Sequence, residues 1–154
     1  MIILSPQHIE QIGEHARDCY PEECCGLVSG TFNHTGTAQA HSIFPSRNLS
    51  NSNTHDSFEV DPQIRYNLMR DNQGKSIEGY PLELIGHYHS HPDNQAAPSP
   101  RDLQMAYEPQ LIWLIVSVMQ GQINQISAYK LNDPDQSPGF HPIELGIQDS
   151  QSLT

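Results

Sequence analysis

A mixed β-sheet flanked by helices, an α/β domain, is what this sequence predicts, on three observations. Helix starts of the cap-then-proline kind recur at Ser5-Pro6, Asp61-Pro62 and Ser99-Pro100. There a Ser or Asp oxygen can accept from a free N–H, and proline fits the first turn. Between them lie apolar runs short enough for strands, the most apolar being residues 111–118 (LIWLIVSV). The length of 154 residues suits one domain, able to bury a core without disulfides.

Taken in order, the first helix runs from Ser5-Pro6, with Ile9, Ile12, Ala16 and Cys19 at helical spacing. Tyr20-Pro21 ends it, because a residue before proline is pushed out of the α region. CCGLVSG, residues 24–30, reads as a strand, and residues 37–44 (TAQAHSIF) as its partner. RNLSNSNTHDS has no periodicity and is a loop, followed by a brief strand at 58–60. The second helix starts at Asp61-Pro62 and turns Ile64, Leu68 and Met69 inward. Residues 82–89 form a strand, 92–100 a proline-rich loop, and a short third helix carries Leu103, Met105 and Ala106. Residues 111–118 suit a central strand buried on both faces. Gly121 turns the chain back into a strand over 122–131, and 140–147 makes one last strand. The domain is expected to span 1–147, with 148–154 a polar tail. There is no internal repeat and no linker.

The charge excludes several roles. Seven Lys and Arg stand against 18 Asp and Glu, a net −11, which argues against phosphate backbones and anionic membranes as partners. No apolar run reaches the ~20 residues of a membrane span. The opening MIILSPQ lacks the basic region of a secretory signal. A soluble, cytoplasmic domain is expected. Cys19, Cys24 and Cys25 are odd in number and clustered, unlike a disulfide framework, and reduced thiols are the simpler reading. Monomer and homodimer are both open.

The chemistry lies in one segment. Six of the nine histidines are scattered, but His87, His89 and His91 form a tight set. His89 and His91, two apart at a strand end, point to one face, as a shared divalent ion requires. Asp102, in the first turn of the next helix, can supply a third ligand. Three protein ligands and an open position for water make a catalytic zinc pattern, the metal lowering the water's pKa to about 7. A carboxylate must then take and return the proton. Glu22 and Glu23 are the candidates, and spacing does not choose between them. Ser99 and Asp102 also form a capping box, and both roles can coexist. A cysteine nucleophile is disfavoured. Cys24 and Cys25, adjacent on a strand, face opposite ways, one to the core and one to a face, and neither is paired with a histidine.

The string His89-x-His91-x7-Ser99-x2-Asp102, led by Gly86-His87-Tyr88, resembles the signature of the JAMM (MPN+) metalloproteases. Tyr20-Pro21-Glu22-Glu23-Cys24-Cys25-Gly26-Leu27 is similar to the Pro-x-Glu-x-Cys-Gly segment of their small prokaryotic members. Phe58-Glu59-Val60-Asp61-Pro62 matches their Phe-x-x-Asp-Pro helix start. The similarity spans about residues 3 to 147. The resemblance implies a cytidine-deaminase-like α/β sandwich holding one Zn²⁺ on His89, His91 and Asp102. It implies Glu23 as general acid/base and Ser99 as the residue steadying the oxyanion. It also implies cleavage after the C-terminal Gly-Gly of a ubiquitin-like or sulfur-carrier protein. One small bacterial member removes a cysteine attached to such a carrier. His87 departs from the family, which has an apolar residue there. The long insertions that read ubiquitin chains are not evident in this length.

Two rivals keep the fold: a non-catalytic MPN scaffold, and a hydrolase of a small amide. A nucleoside deaminase would need His-x-Glu and Pro-Cys-x-x-Cys, and this sequence has neither.

Overall fold

The computed structural model describes residues 1–148, so most of the expected polar tail lies outside the described residues. Ten strands and three helices follow the chain as β1 Ile2–Leu4, α1 Pro6–Cys19, β2 Cys25–Phe32, β3 Ala38–Ser46, α2 Pro62–Asn72, β4 Ser76–Ile77, β5 Tyr80–Pro81, β6 Glu83–Pro92, α3 Pro100–Gln104, β7 Ile112–Met119, β8 Gln122–Leu131, β9 Phe140–Ile143 and β10 Leu145–Ile147. Eight strands form one sheet in the order β10-β1-β3-β2-β6-β7-β8-β9, and β4-β5 is a separate small hairpin. The sheet is mixed, as expected. β6 and β7 are parallel, as are β1 and both its neighbours, while β2 runs antiparallel to β3 and β6.

α1 starts where the cap predicts. Ser5 Oγ accepts from the His8 N–H, and the His8 ring returns a bond to the Ser5 N–H. Ile12 and Ala16 are buried against the sheet, with Ile9 and Cys19 packed beside them. Their bed includes Val28, Tyr88, Leu114 and Val116. β7 is buried along seven of its eight residues, as an apolar run in mid-sheet should be.

α2 lies against β2, β3 and β6. It buries Leu68 and Asn72, four residues apart and hence on one stripe. The Asn72 amide and the Ser29 hydroxyl of β2 satisfy each other inside this contact. Met69, expected inward, is 60% exposed. The stripe is one residue wide, and Met69 sits about 100° around from Leu68.

Several other expectations need correction. Residues 58–60 are not a strand; Val60 makes a single bridge to Asn48. That segment is held by side-chain bonds, with Asn48 Oδ1 accepting from the Ser50 and Glu59 N–H groups. α3 ends at Gln104, so Met105 is its exposed cap rather than a helix residue, and Ala106 lies beyond it. β2 runs on past Gly30 to Phe32. β1, with only three residues, and the β4-β5 hairpin carry too little pattern to be read. The single strand expected over 140–147 is two. β9 pairs with β8 and β10 pairs with β1, so Glu144 alone separates the two ends of the eight-strand order. Gln148, expected in the tail, donates its N–H to the Leu4 carbonyl.

Tyr88 of β6 is fully buried across from Gly26 of β2, and its hydroxyl bonds His15 Nδ1 of α1. A Cβ at Gly26 would come within 2.4 Å of the Tyr88 ring. Gly26→Ala should therefore destabilise the fold by about 1–3 kcal/mol through overpacking, read from the midpoint of denaturant unfolding. A change below about 0.5 kcal/mol, the range of indifferent surface substitutions, would mean that Tyr88 moves aside freely.

Candidate metal centre

Alternation along β6 turns Tyr88 toward α1 and sets His87, His89 and His91 on the opposite face. His89 and His91 bring their Nε2 atoms to 3.0 Å of each other. The carboxylate of Asp102 completes a triangle. Its Oδ1 lies 3.2 Å from His89 Nε2 and its Oδ2 3.2 Å from His91 Nε2. Asp102 gets there as the third residue of α3. Ser99 Oγ accepts from the Asp102 N–H at 3.1 Å, and the Ser99 N–H donates to Asp102 Oδ2 at 2.8 Å. The capping box and the convergence on the histidines thus coexist in one side chain, which is buried.

The donor set fits a divalent ion by its own chemistry. Two imidazole nitrogens face each other at 3.0 Å, an arrangement that needs a proton or a cation between the lone pairs. Donors 2.0–2.1 Å from a tetrahedral zinc stand about 3.4 Å apart, close to the 3.0–3.2 Å edges seen here. His91 Nδ1 faces the Gln95 carbonyl at 2.9 Å. Only a protonated Nδ1 can donate there, which leaves the Nε2 lone pair free for a metal.

His89 is held differently. Its Nδ1 is buried without a partner. The ring is stacked on Phe58 at 4.3 Å with 16° between planes, and Trp113 stands edge-on at 5.7 Å. Burial pulls the His89 pKa down, and the Asp102 bond only partly offsets this. Burial also works against charge on His91, but the Asp102 and Gln95 bonds outweigh it and raise the pKa overall. Asp102, despite its burial, is held well below the usual carboxylate range by its bonds to His89 and His91.

The structure separates the two glutamates. Glu22 is exposed and accepts a bond from Thr54 Oγ1. Glu23 is 2% exposed, and its ligand atom lies within 4.8 Å of those of His89 and His91. Burial raises its pKa to about 8, with His91 pulling the other way. Its main chain is tied to the loop, its N–H to the Thr54 carbonyl and its carbonyl to Asn48 Nδ2. Glu23, His91 and Ser99 line one cleft, together with Asp56 from the loop.

His87 does not join the triangle. It packs 4.3 Å from Trp113, and burial drives its pKa down to about 3. Both cysteines are buried, although one was expected to line a face. Cys24 is in the core, and Cys25 is closed over by the Arg47 and Glu59 carbonyls. Burial pushes both thiols up to about 12, which leaves no thiolate for attack. Phe58, Trp113 and Asn48 are the contributors that the sequence reading did not assign. The Phe-x-x-Asp-Pro match was the one available signal, and it marked Phe58 without saying what the ring touches.

A mixed sheet carrying a buried His-His-Asp triangle, with a carboxylate of raised pKa beside it, defines an α/β protein with a candidate hydrolytic metal centre. The chain belongs to the prokaryotic homologues of the JAB domain, which match residues 5–132. It is 24% identical over 134 residues to the CysO-cysteine peptidase of Mycobacterium tuberculosis, covering 86% of this chain and 84% of that one. It is 29% identical over 112 residues to the desampylase of Haloferax volcanii, covering 70% and 74%. A solution structure of a Desulfitobacterium hafniense protein superposes with a TM-score of 0.77 at 26% identity, covering 97% of this chain and 94% of that one. Among the described residues no helix is long and apolar enough to cross a membrane.

Two outcomes are expected of the metal centre. Zinc-loaded and dialysed wild type should hold one zinc per chain by elemental analysis, and Asp102→Ala much less. Full occupancy in that variant would remove Asp102 from the ligand set. The second concerns the metal-free protein. Below pH 4.5, the ordinary value for Glu23, folded and unfolded chains both hold its proton. Between 4.5 and about 8 only the folded chain does, so this group lowers stability as pH rises across that window. In a chelator, the melting temperature of Glu23→Gln should gain on wild type from pH 5 to pH 8. A constant gap would contradict the raised pKa.

Proposed function

We propose that this chain is a zinc metallopeptidase that hydrolyses the bond after the C-terminal Gly-Gly of a ubiquitin-like or sulfur-carrier protein. The observation that carries this reading is the buried triangle of His89, His91 and Asp102 with the Glu23 carboxylate within 4.8 Å of both histidines. The peptidase names of the two relatives support it. A non-catalytic scaffold has no use for two facing imidazoles in a buried site, and the filled donor set counts against that rival.

His89, His91 and Asp102 would hold the ion, their 3.0–3.2 Å spacing being closer than the 4.8 Å within which Glu23 joins the two histidines. Bound there, zinc supplies Lewis acidity and lowers the pKa of a coordinated water to about 7. Glu23, as the carboxylate, accepts the proton of the attacking water. Its burial makes it a stronger base than an ordinary glutamate. The Ser99 hydroxyl accepts from the Asp102 N–H, and its own O–H is free to donate to the oxyanion that forms at the scissile carbonyl. Glu23 then gives its proton to the departing nitrogen, which leaves as the neutral amine. The Glu23 carboxylate is regenerated, and the second proton of the water, carried on the new acid, passes to the free amine or to solvent as the Gly-Gly carboxylate is released.

The test is a mass-spectrometric time course with zinc-loaded chain. The substrates are sulfur-carrier proteins extended beyond Gly-Gly by cysteine or another residue, beside a ubiquitin dimer. Cleavage after Gly-Gly in the carrier is expected. It should fall by at least about 100-fold in Glu23→Gln, the lower range for loss of a general acid/base, with zinc retained. Wild-type rates in that variant would refute Glu23 as the base. No cleavage of any carrier at full zinc occupancy would refute the substrate class and favour a small amide.

A further inference from the structure

Residues 111–118 are the most apolar run of the chain, and Ser117 is the one hydroxyl in it. It is fully buried, and a buried hydroxyl is costly unless it is bonded. In the parallel register of β6 and β7 it stands directly beside His91. Leu114, Val116 and Val118 pack in the core with Ile12 and Ala16 of α1. Alternation therefore turns Ser117 to the other face, the one that carries the histidines. Valine there would complete the apolar pattern of the strand. The hydroxyl makes sense through its partner, the Asn94 carbonyl, to which it donates.

That bond is one of several that converge on residues 93–96, immediately after β6. Tyr129 of β8 donates its O–H to the Ala96 carbonyl at 2.8 Å. The Asp93 carboxylate accepts from the Tyr20 O–H at 2.6 Å and from the Gln120 N–H at 2.7 Å, and the Asp93 N–H donates to the Val118 carbonyl. Asp93 is thereby held at a φ of 52°, in the left-handed region that residues other than glycine seldom adopt. Connecting loops are ordinarily the mobile part of a protein surface. This one is tied to the C-cap of α1, to β7, to the turn after β7 and to β8. At its centre is Gln95, whose carbonyl faces His91 Nδ1 at 2.9 Å. A peptide unit is planar, so the Ser117 and Tyr129 hydroxyls fix the planes before and after the one that carries this carbonyl.

We propose that Ser117 and Tyr129 are positioning residues of the metal centre, acting through the Gln95 carbonyl to hold the His91 ring in its metal-binding orientation. A carbonyl kept in place accepts from Nδ1–H, and that bond fixes the ring and leaves the Nε2 lone pair facing the triangle. The ion then meets a ligand that needs no rearrangement. His89 has no bond of this kind, since its Nδ1 is buried without a partner. The support that the chain gives its metal by hydrogen bonding to a histidine Nδ1 is thus concentrated on His91. The proposal rests on the metal reading of the triangle and not on the cleavage reaction.

The test compares full-length wild type with Ser117→Ala and Tyr129→Phe. Each removes a hydroxyl and little else, and phenylalanine keeps the ring that shares a wall with Pro100 and Leu103 of α3. Ser29→Ala is the control, since it removes a buried hydroxyl bonded to Asn72 of α2. Zinc affinity is measured by competition with a chelator, melting temperature in excess chelator, and ligand geometry from the visible absorption of the cobalt-loaded chain. Both site variants should bind zinc more weakly by roughly 10-fold or more, the lower range for losing an outer partner of a metal-bound histidine. Their cobalt bands should shift, and their metal-free melting temperatures should fall no further than that of Ser29→Ala, which should hold zinc as wild type does. Wild-type zinc affinity and cobalt bands in the folded site variants would overturn the proposal. An equal loss of affinity in Ser29→Ala would also overturn it, by tracing the loss to general stability. Either site variant decides the matter should the other lose its fold. A wild type that holds no zinc would overturn the metal reading together with this proposal, whereas a zinc-binding chain that cuts no carrier would leave the proposal standing.

Discussion

Two imidazole nitrogens and a carboxylate share a space some 3 Å across, and most of the architecture answers to that convergence. Lone pairs so close repel unless a proton or a cation lies among them. The fold therefore has to hold all three side chains against their own preference. β6 does this for the histidines because it lies inside the sheet, bonded to β2 on one side and β7 on the other. α3 does it for Asp102 with only five residues, a length that would not persist alone in water. Its capping box supplies what its length cannot.

The two histidines are fixed by different physics. His91 is aimed by a directional bond to the Gln95 carbonyl. That loop is itself secured, the Asn94 carbonyl by the Ser117 hydroxyl and the Ala96 carbonyl by the Tyr129 hydroxyl. Outside the triangle His89 has only ring contacts, with Phe58 on its face and Trp113 at its edge. Stacking fixes the plane of a ring but not which nitrogen carries the proton. In the metal-free protein the His89 tautomer is set from the Nε2 side only, by Asp102 and His91, whereas that of His91 is set from both sides.

The sequence showed much of this and hid the rest for physical reasons. α1 and α2 were legible because cap and proline act within four residues, and β7 because a buried central strand is apolar throughout. The triangle was legible as spacing, since i and i+2 on a strand share a face regardless of context. The choice of Glu23 over Glu22 was not legible from spacing. It depends on how the 47–60 loop folds over the chain, and that depends on Asn48 bonding four backbone groups, three of them nine or more residues away. Phe58 was misread as a strand residue because β-propensity is local, while its actual role is a contact with β6. The inward assignment of Met69 failed because helical periodicity gives the direction of a buried stripe and not its width.

The last strands have a consequence for the whole molecule. β9 ends at Ile143 and β10 begins at Leu145, yet they sit at the two ends of the eight-strand order. A single intervening residue spans at most about 7 Å between flanking Cα atoms, so the two margins must come together. The sheet is drawn round on itself like a barrel stave ring, pinned by the covalent chain at Glu144. The two end strands are three and four residues long, but β9 pairs only Ala128–Leu131 of β8, so among the described residues an open edge remains along residues 122–127 of that strand.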